Sequence, residues 1–419
     1  MGTLLPFLMF GILAAAMLSR PLVRWRLVPL PVALVLLGFI SSEIWVALGR
    51  DTGLRWQLLH DLVFYILLPI IIFDSAININ IRSLRRESLL IGALSVPLLI
   101  IAALLAALII HFLLGGQNGM AFPLALLAGS MICATDPTAV SGILKNAGAS
   151  RRLVRILEGE SLINDAATIT LFVLLSAIIL TPGTAFTAAE VASRFALILF
   201  GSVLAGMAMG WLFDRIIRPF DDTILTTSTT LVLAFLSFWA GEHLLGLSGV
   251  VATLSAGLTF AWCQGRHRAE EDVAFALDTW RILSFSADAM LFTLVGMSIT
   301  VGMFQEHWLA MLIGVLAAVV SRAAIIFLGA GPLSLLPGQK KLQFADQNLM
   351  LWGGVRGAVA IALALSLDTE IPQWYTIQSM IYGVAIFSLV IQAPLLTHLV
   401  SGKPGSKKSR HSQLSHVAD

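Results

Sequence analysis

The sequence predicts an all-α polytopic membrane protein of about thirteen transmembrane helices, and three observations carry that expectation. Of 419 residues, 58% are hydrophobic and 12% charged, with a mean hydropathy of +0.91, which no water-soluble globule built around one core carries. Apolar runs of the roughly 17–25 residues needed to cross hydrocarbon recur from end to end. Basic residues alternate: twenty-one of the 26 Lys and Arg fall in loops after odd-numbered spans or in the C-terminal tail. Only Arg50, Arg55 and Arg194 fall on the other side. Since Lys and Arg are retained in the cytoplasm, the N-terminus is expected outside and the C-terminus in the cytoplasm.

The spans are expected at about 3–20, 27–48, 61–78, 88–113, 120–144, 155–181, 188–213, 224–243, 247–264, 281–302, 308–330, 345–367 and 373–400. The first has no basic region before it, and its first arginines follow it, so it reads as a membrane helix and not a signal peptide. The fifth contains Ala134-Thr135-Asp136-Pro137-Thr138, where Pro137 removes a backbone donor and disfavours helix at Asp136. The sixth contains Gly159-Glu160-Ser161-Leu162-Ile163-Asn164-Asp165. An ionisable group at membrane depth costs several kcal/mol and is a functional-site hypothesis by default, and the Asp165 carboxyl can hold a proton or a metal cation. In the seventh, Gly201, Ala205 and Gly210 form a small-residue face suited to tight packing, within the chain or between two copies. The tenth carries Asp288, the eleventh Arg322, and the twelfth Trp352-Gly353-Gly354-Val355-Arg356-Gly357. The expected organisation is therefore one transmembrane domain over 1–402 and a short basic tail over 403–419.

Two spans are spoiled as helices, and their places correspond. If spans one to six and eight to thirteen are two repeats, the fifth and twelfth are equivalent members in opposite membrane orientation. That is the pattern of an inverted-repeat secondary transporter whose site lies at the midplane between paired broken helices. Such helices leave partial positive charge at N-terminal ends and partial negative charge at C-terminal ends; Asp136 and Arg356 have the signs to neutralise them.

Other function classes find little support. There is no HExxH, GxSxG or CxxC motif and no mid-span histidine, so no constellation for an enzyme. The two cysteines, Cys133 and Cys263, fall within spans and read as packing thiols. His60, His111, His243, His267, His307 and His398 sit in loops or at span ends, with Glu242-His243 the one pairing that suggests a pH sensor. A net charge of +2 gives no reason to expect nucleic acid, and the basic tail suits anionic lipid. A channel would need a continuous pore and gains nothing from inverted broken helices around one acid. A sensor would leave its buried charges unexplained.

With these residues in view, the chain resembles the monovalent cation–proton antiporter type 1 family, the NhaP-like sodium/proton antiporters. The resemblance covers nearly all the transmembrane region. It rests on Leu68-Pro69 with Phe73-Asp74, Ala134-Thr135-Asp136-Pro137, the run Gly159 to Asp165, and Ser248-Gly249-Val250-Val251-Ala252. Trp280 through Gly296, Arg322 and Trp352 to Ala358 complete it, in the family's order and spacing.

The resemblance implies a cation site made by the carboxylates of Asp165 and Asp74, the Ser161 hydroxyl and the Thr135 carbonyl. The spacing agrees in part, since Ser161 and Asp165 are four apart on one helix face and a hard cation prefers oxygen ligands. The resemblance further implies that Asn164 braces the acid of the third span, that Glu160 pairs with Arg356, and that the protein is a homodimer in a bacterial inner membrane serving pH homeostasis. It implies a moving core near 88–181 and 308–400 and interface helices near 3–78 and 188–302. No cofactor is expected beyond the transported ions. The chain departs from the family at Asp74, where Glu is more frequent, at Arg281, where an acid is usual, and at Asp288, where Asn is usual; Asp288 is expected to pair with Arg322 rather than titrate.

The expected mechanism is competition at Asp165: a carboxyl out of water is favoured neutral, a bound cation favours the ionised form, and each excludes the other. In the family an Asn-Asp pair accompanies electroneutral exchange, so Asn164 predicts electroneutrality, with Asp288 as the residue that could add a proton. Potassium/proton exchange on the same fold remains the nearest alternative.

Overall fold

The structure is a computed structural model of the chain, describing residues 4–25, 30–50, 56–79, 87–115, 119–136, 144, 149–181, 187–220, 222–265, 270–335 and 341–401. Pro137 and the tail over 403–419 lie outside the described residues. The long helices are α1 (Leu4–Trp25), α2 (Leu30–Ala47), α3 (Trp56–Asn78), α4 (Ser88–Leu113), α5 (Phe122–Cys133), α6 (Arg151–Leu180) and α7 (Ala188–Ile217). They continue as α8 (Thr223–Leu244), α9 (Gly249–Gln264), α10 (Glu270–Ser298), α11 (Trp308–Leu333), α12 (Phe344–Trp352), α13 (Ala358–Leu365) and α14 (Trp374–Val400).

Helix stands at each predicted span, and no strand occurs among the described residues. Among the described residues, nine helices are long and apolar enough to cross a bilayer, while the apolar stretches of α1, α5 and α9 are shorter. Several predicted edges were short, among them the end of α1, which runs to Trp25, and the start of α3, which lies at Trp56. Helix α10 begins at Glu270, in a stretch whose acids concealed its start, and α7 runs on to Ile217, where Asp214 pairs with Arg218 at 2.9 Å.

Prolines shape these helices more than they interrupt them. Three π-helical turns, Val63–Leu67, Ile325–Ala330 and Ser388–Gln392, each end two residues before a proline: Pro69, Pro332 and Pro394. A proline supplies no N–H and crowds the carbonyl four residues back; a widened turn ahead of it absorbs both effects without ending the helix. Pro97 acts differently, with Val96 at φ −125° and ψ −73° marking a break inside α4.

Helices pack into two groups. Helices α4, α5, α6, α11, α13 and α14 pack among themselves, as do α1, α2, α3, α7, α8, α9 and α10. The groups meet where α10 lies on α13 and where α6 lies on α7 and α9. The small-residue face of α7 turns inward: a Cβ on Gly210 would lie 2.4 Å from the Ala256 carbonyl oxygen, and Gly201 faces Leu247. That face is committed to packing within the chain.

Candidate cation site between the broken helices

Two chain breaks cross at the centre of the molecule. Helix α5 stops at Cys133 and Ala134 is extended, at φ −59° and ψ 133°. Helix α12 stops at Trp352, and α13 resumes at Ala358. The Asp136 N–H donates to the Val355 carbonyl at 2.8 Å, joining the two breaks directly. The interruption near Asp136 is thus set in place before Pro137 is reached.

Each break carries the charge its helix end requires. The last carbonyls of a helix have no intrahelical donor. Arg356 Nη1 donates to those of Cys133 and Ala134, at 3.0 and 3.3 Å, and its Nη2 donates to Ala318 O at 3.5 Å. At the start of α13, the Asp136 carboxylate lies against Gly357, where a Cβ would fall 2.0 Å from Asp136 Oδ2. Glycine is required there by close approach. The guanidinium sits at a helix C-terminus and the carboxylate at an N-terminus, as the partial charges favour.

Beside the crossing is a cavity of about 50 Å³. Its walls bring together Asp165 from α6, Asp74 from α3, Thr135 and Asp136 from the first break, and Ser284 and Asp288 from α10. Ser161 joins through Thr135, because its hydroxyl donates to the Thr135 carbonyl oxygen. Asp165 is buried, and its Oδ1 has no hydrogen-bond partner among the described residues. A buried oxygen without a donor is costly, and a proton or a hard cation in the cavity would relieve that cost.

Asp74 is differently placed. Asn78 Nδ2 donates to its Oδ1 at 2.8 Å, and Ser284 lines the same cavity. The shorter acid is therefore engaged by a side chain of its own helix, α3.

The supporting contacts correct three expectations. Glu160 does not pair with Arg356. Arg322 Nη1 and Nη2 reach its two carboxylate oxygens at 2.6 and 2.8 Å, the side chains being 4% and 1% exposed. Arg356 is occupied by carbonyl oxygens instead. Consequently Asp288 does not take Arg322, and its Oδ1 is buried and unpartnered among the described residues. Asn164 does not brace Asp74; its Nδ2 donates to Cys133 O at 3.1 Å, Thr135 Oγ1 at 3.2 Å and Glu160 Oε1 at 3.3 Å. It holds the first break to α6. Helical spacing places Glu160 and Asn164 on one face, but which of two arginines would reach Glu160 depends on how α11 packs.

Ser284 and Ser75 are polar lining residues that sequence reading missed, and Ser284 had a signal. The available signal was its spacing from Asp288, the same four residues that separate Ser161 from Asp165. The start of the face was legible at Trp280, whose Nε1 donates to Thr230 Oγ1 at 2.8 Å and whose ring lies 4.6 Å from Phe73. Trp280, Ser284 and Asp288 share one helix face, so this anchor on α8 and α3 turns both polar groups into the cavity.

Comparison with known proteins agrees with this architecture. Residues 9–402 match the family model described as sodium/hydrogen exchanger, transmembrane. The chain is 28% identical over 410 residues to the Na(+)/H(+) antiporter ApNhaP of Aphanothece halophytica, covering 97% of this chain and 76% of that protein. It is 30% identical over 366 residues to the Na(+)/H(+) antiporter NhaP of Pseudomonas aeruginosa, covering 81% of each. Among solved structures, the sodium proton antiporter MjNhaP1 from Methanocaldococcus jannaschii superposes with a TM-score of 0.81 at 18% identity, over 96% of this chain and 99% of that one. At that identity the likeness speaks for the fold.

Proposed function

Since the chain belongs to the transmembrane sodium/hydrogen exchanger family, we propose that it is a secondary antiporter exchanging sodium or lithium for protons, with Asp165 as the group that the two ions share. The observation that carries this reading is the buried, unpartnered Asp165 Oδ1 on the wall of the cavity beside the crossed breaks. Thr135 supplies a second oxygen, and Ser161 orients it. Asp74 contributes charge and an oxygen from α3.

The proton and the cation are alternatives at one carboxyl. A transporter that changes its facing only when that carboxyl is occupied must return one ion for each ion it moves, with no other source of energy. With Asn164 preceding Asp165, α6 offers one acid at this site, which supports one-for-one exchange. Of the two helix groups, we assign α4–α6 and α11–α14 to the moving core and the others to a homodimer-forming frame. The expected setting is a bacterial inner membrane, N-terminus outside and C-terminus in the cytoplasm.

The test is proton movement in everted vesicles with an acid interior. Sodium and lithium chloride should dissipate the gradient, and Asp165→Asn should abolish the response. A response to potassium as well would widen the selectivity. No response to any of the three, with protein present and folded, would reject antiport.

A further inference from the structure

The cavity has a second oxygen-bearing wall that the Asp165 reading leaves unused. It is formed by α10, which packs in the helix group opposite to α6. There Ser284 and Asp288 repeat, four residues apart on one helix face, the arrangement of Ser161 and Asp165. Ser284 and Asp288 both line the cavity, as Asp74 does. Asp288 stands within electrostatic reach of Asp74 and Asp136, and Asp136 is within reach of Asp165. The carboxyls thus form a sequence across the cavity, from Asp74 through Asp288 and Asp136 to Asp165.

Among the described residues, no basic side chain pairs with Asp288. Arg322 is held by both oxygens of Glu160, and Arg281, one turn before Ser284, pairs with Asp278 at 3.0 Å. Asp288 Oδ1 is buried without a hydrogen-bond partner among the described residues. A packing role would satisfy that oxygen, and an asparagine there would remove the charge. Among the described residues, the two buried carboxyl oxygens with no donor, Asp165 Oδ1 and Asp288 Oδ1, belong to residues of one cavity.

We propose that Asp288, with Ser284, forms an outer binding position for the monovalent cation, occupied before the cation reaches Asp165 and Asp74. This rests on the proposed role of Asp165 and deepens it. The outer position takes a small hard cation, since its donors are carboxyl and hydroxyl oxygens. The cation leaves Asp288 before the carrier turns over, so this position adds affinity for the cation and no charge to the transport cycle.

The experiment is sodium-driven proton flux in proteoliposomes, comparing the full-length protein with Asp288→Asn, Asp288→Glu and Asp165→Asn, each shown monodisperse by size exclusion. Asp288→Asn should raise the KM for sodium on the order of tenfold with kcat retained, and Asp288→Glu should keep most of the affinity. An unchanged KM in Asp288→Asn would overturn the proposal. So would loss of all exchange in folded Asp288→Asn, because the residue would then belong to the transporting site itself. Asp165→Asn reports separately on the earlier reading: exchange surviving there would reject Asp165 whatever the result at Asp288.

Discussion

Glu160 and Arg322 form a two-pronged ion pair between α6 and α11, at 2.6 and 2.8 Å, with both side chains almost fully enclosed. The pair joins the helix carrying Asp165 to a helix of the other repeat. Removing one partner of a buried pair leaves an uncompensated charge, which costs more than the pair contributes. Arg322→Ala should therefore destabilise the protein by about 3–5 kcal/mol. Thermal unfolding in detergent measures the loss, and the double variant Glu160→Gln with Arg322→Met should recover much of it. Equal melting of the single and double variants would contradict this account.

Gly357→Ala tests the crossing. Its methyl group would fall 2.0 Å from Asp136 Oδ2, so either the carboxylate or the backbone must move. Overpacking of this kind costs about 1–3 kcal/mol, and transport should fall more than stability because the displaced residue lines the cavity. Vesicle assays at matched protein levels give the comparison.

Asn164 acts here as a donor. Replacing it by Asp would set a carboxylate against two neutral oxygens and the Glu160 carboxylate. Asn164→Asp should lower thermal stability by about 1–3 kcal/mol and reduce exchange. A stable, faster exchanger would show that the amide is not holding the break to α6.

Asp74 is already engaged by Asn78. Asp74→Asn should then weaken exchange without ending it, in contrast to Asp165→Asn. The two variants, assayed side by side over a sodium series, should separate as a raised KM and a lost kcat.

One-for-one exchange moves no net charge. A voltage-sensitive dye in proteoliposomes should report no potential during sodium/proton exchange by the natural protein or by Asp288→Asn. A potential that appears only with Asp288 present would make it a carrier of a second proton.

Much of this was legible before the structure. Composition and the placement of Lys and Arg predicted the membrane helices, because hydrocarbon thickness imposes length and polarity directly. The two breaks were legible because proline and glycine act through the local backbone. Which cation meets which anion was not, since Arg322 and Arg356 are both far from Glu160 in sequence and only the seating of α11 distinguishes them. The lining role of Ser284 depended on the same kind of information, namely the rotation of α10 set by Trp280. Glycines on α7 showed that a helix would be approached closely, but not by whom.

The carbonyl of Thr135 and the N–H of Asp136 belong to one peptide unit, which is planar and conjugated. Its oxygen receives the Ser161 hydroxyl, and its nitrogen donates to Val355. Hydrogen bonds in such a series polarise one another. A cation drawn to the oxygen would withdraw electron density along the amide and tighten the bond to Val355, while a vacated oxygen would relax it. One flat group of six atoms thus links α6, through Ser161, to the second break, through Val355.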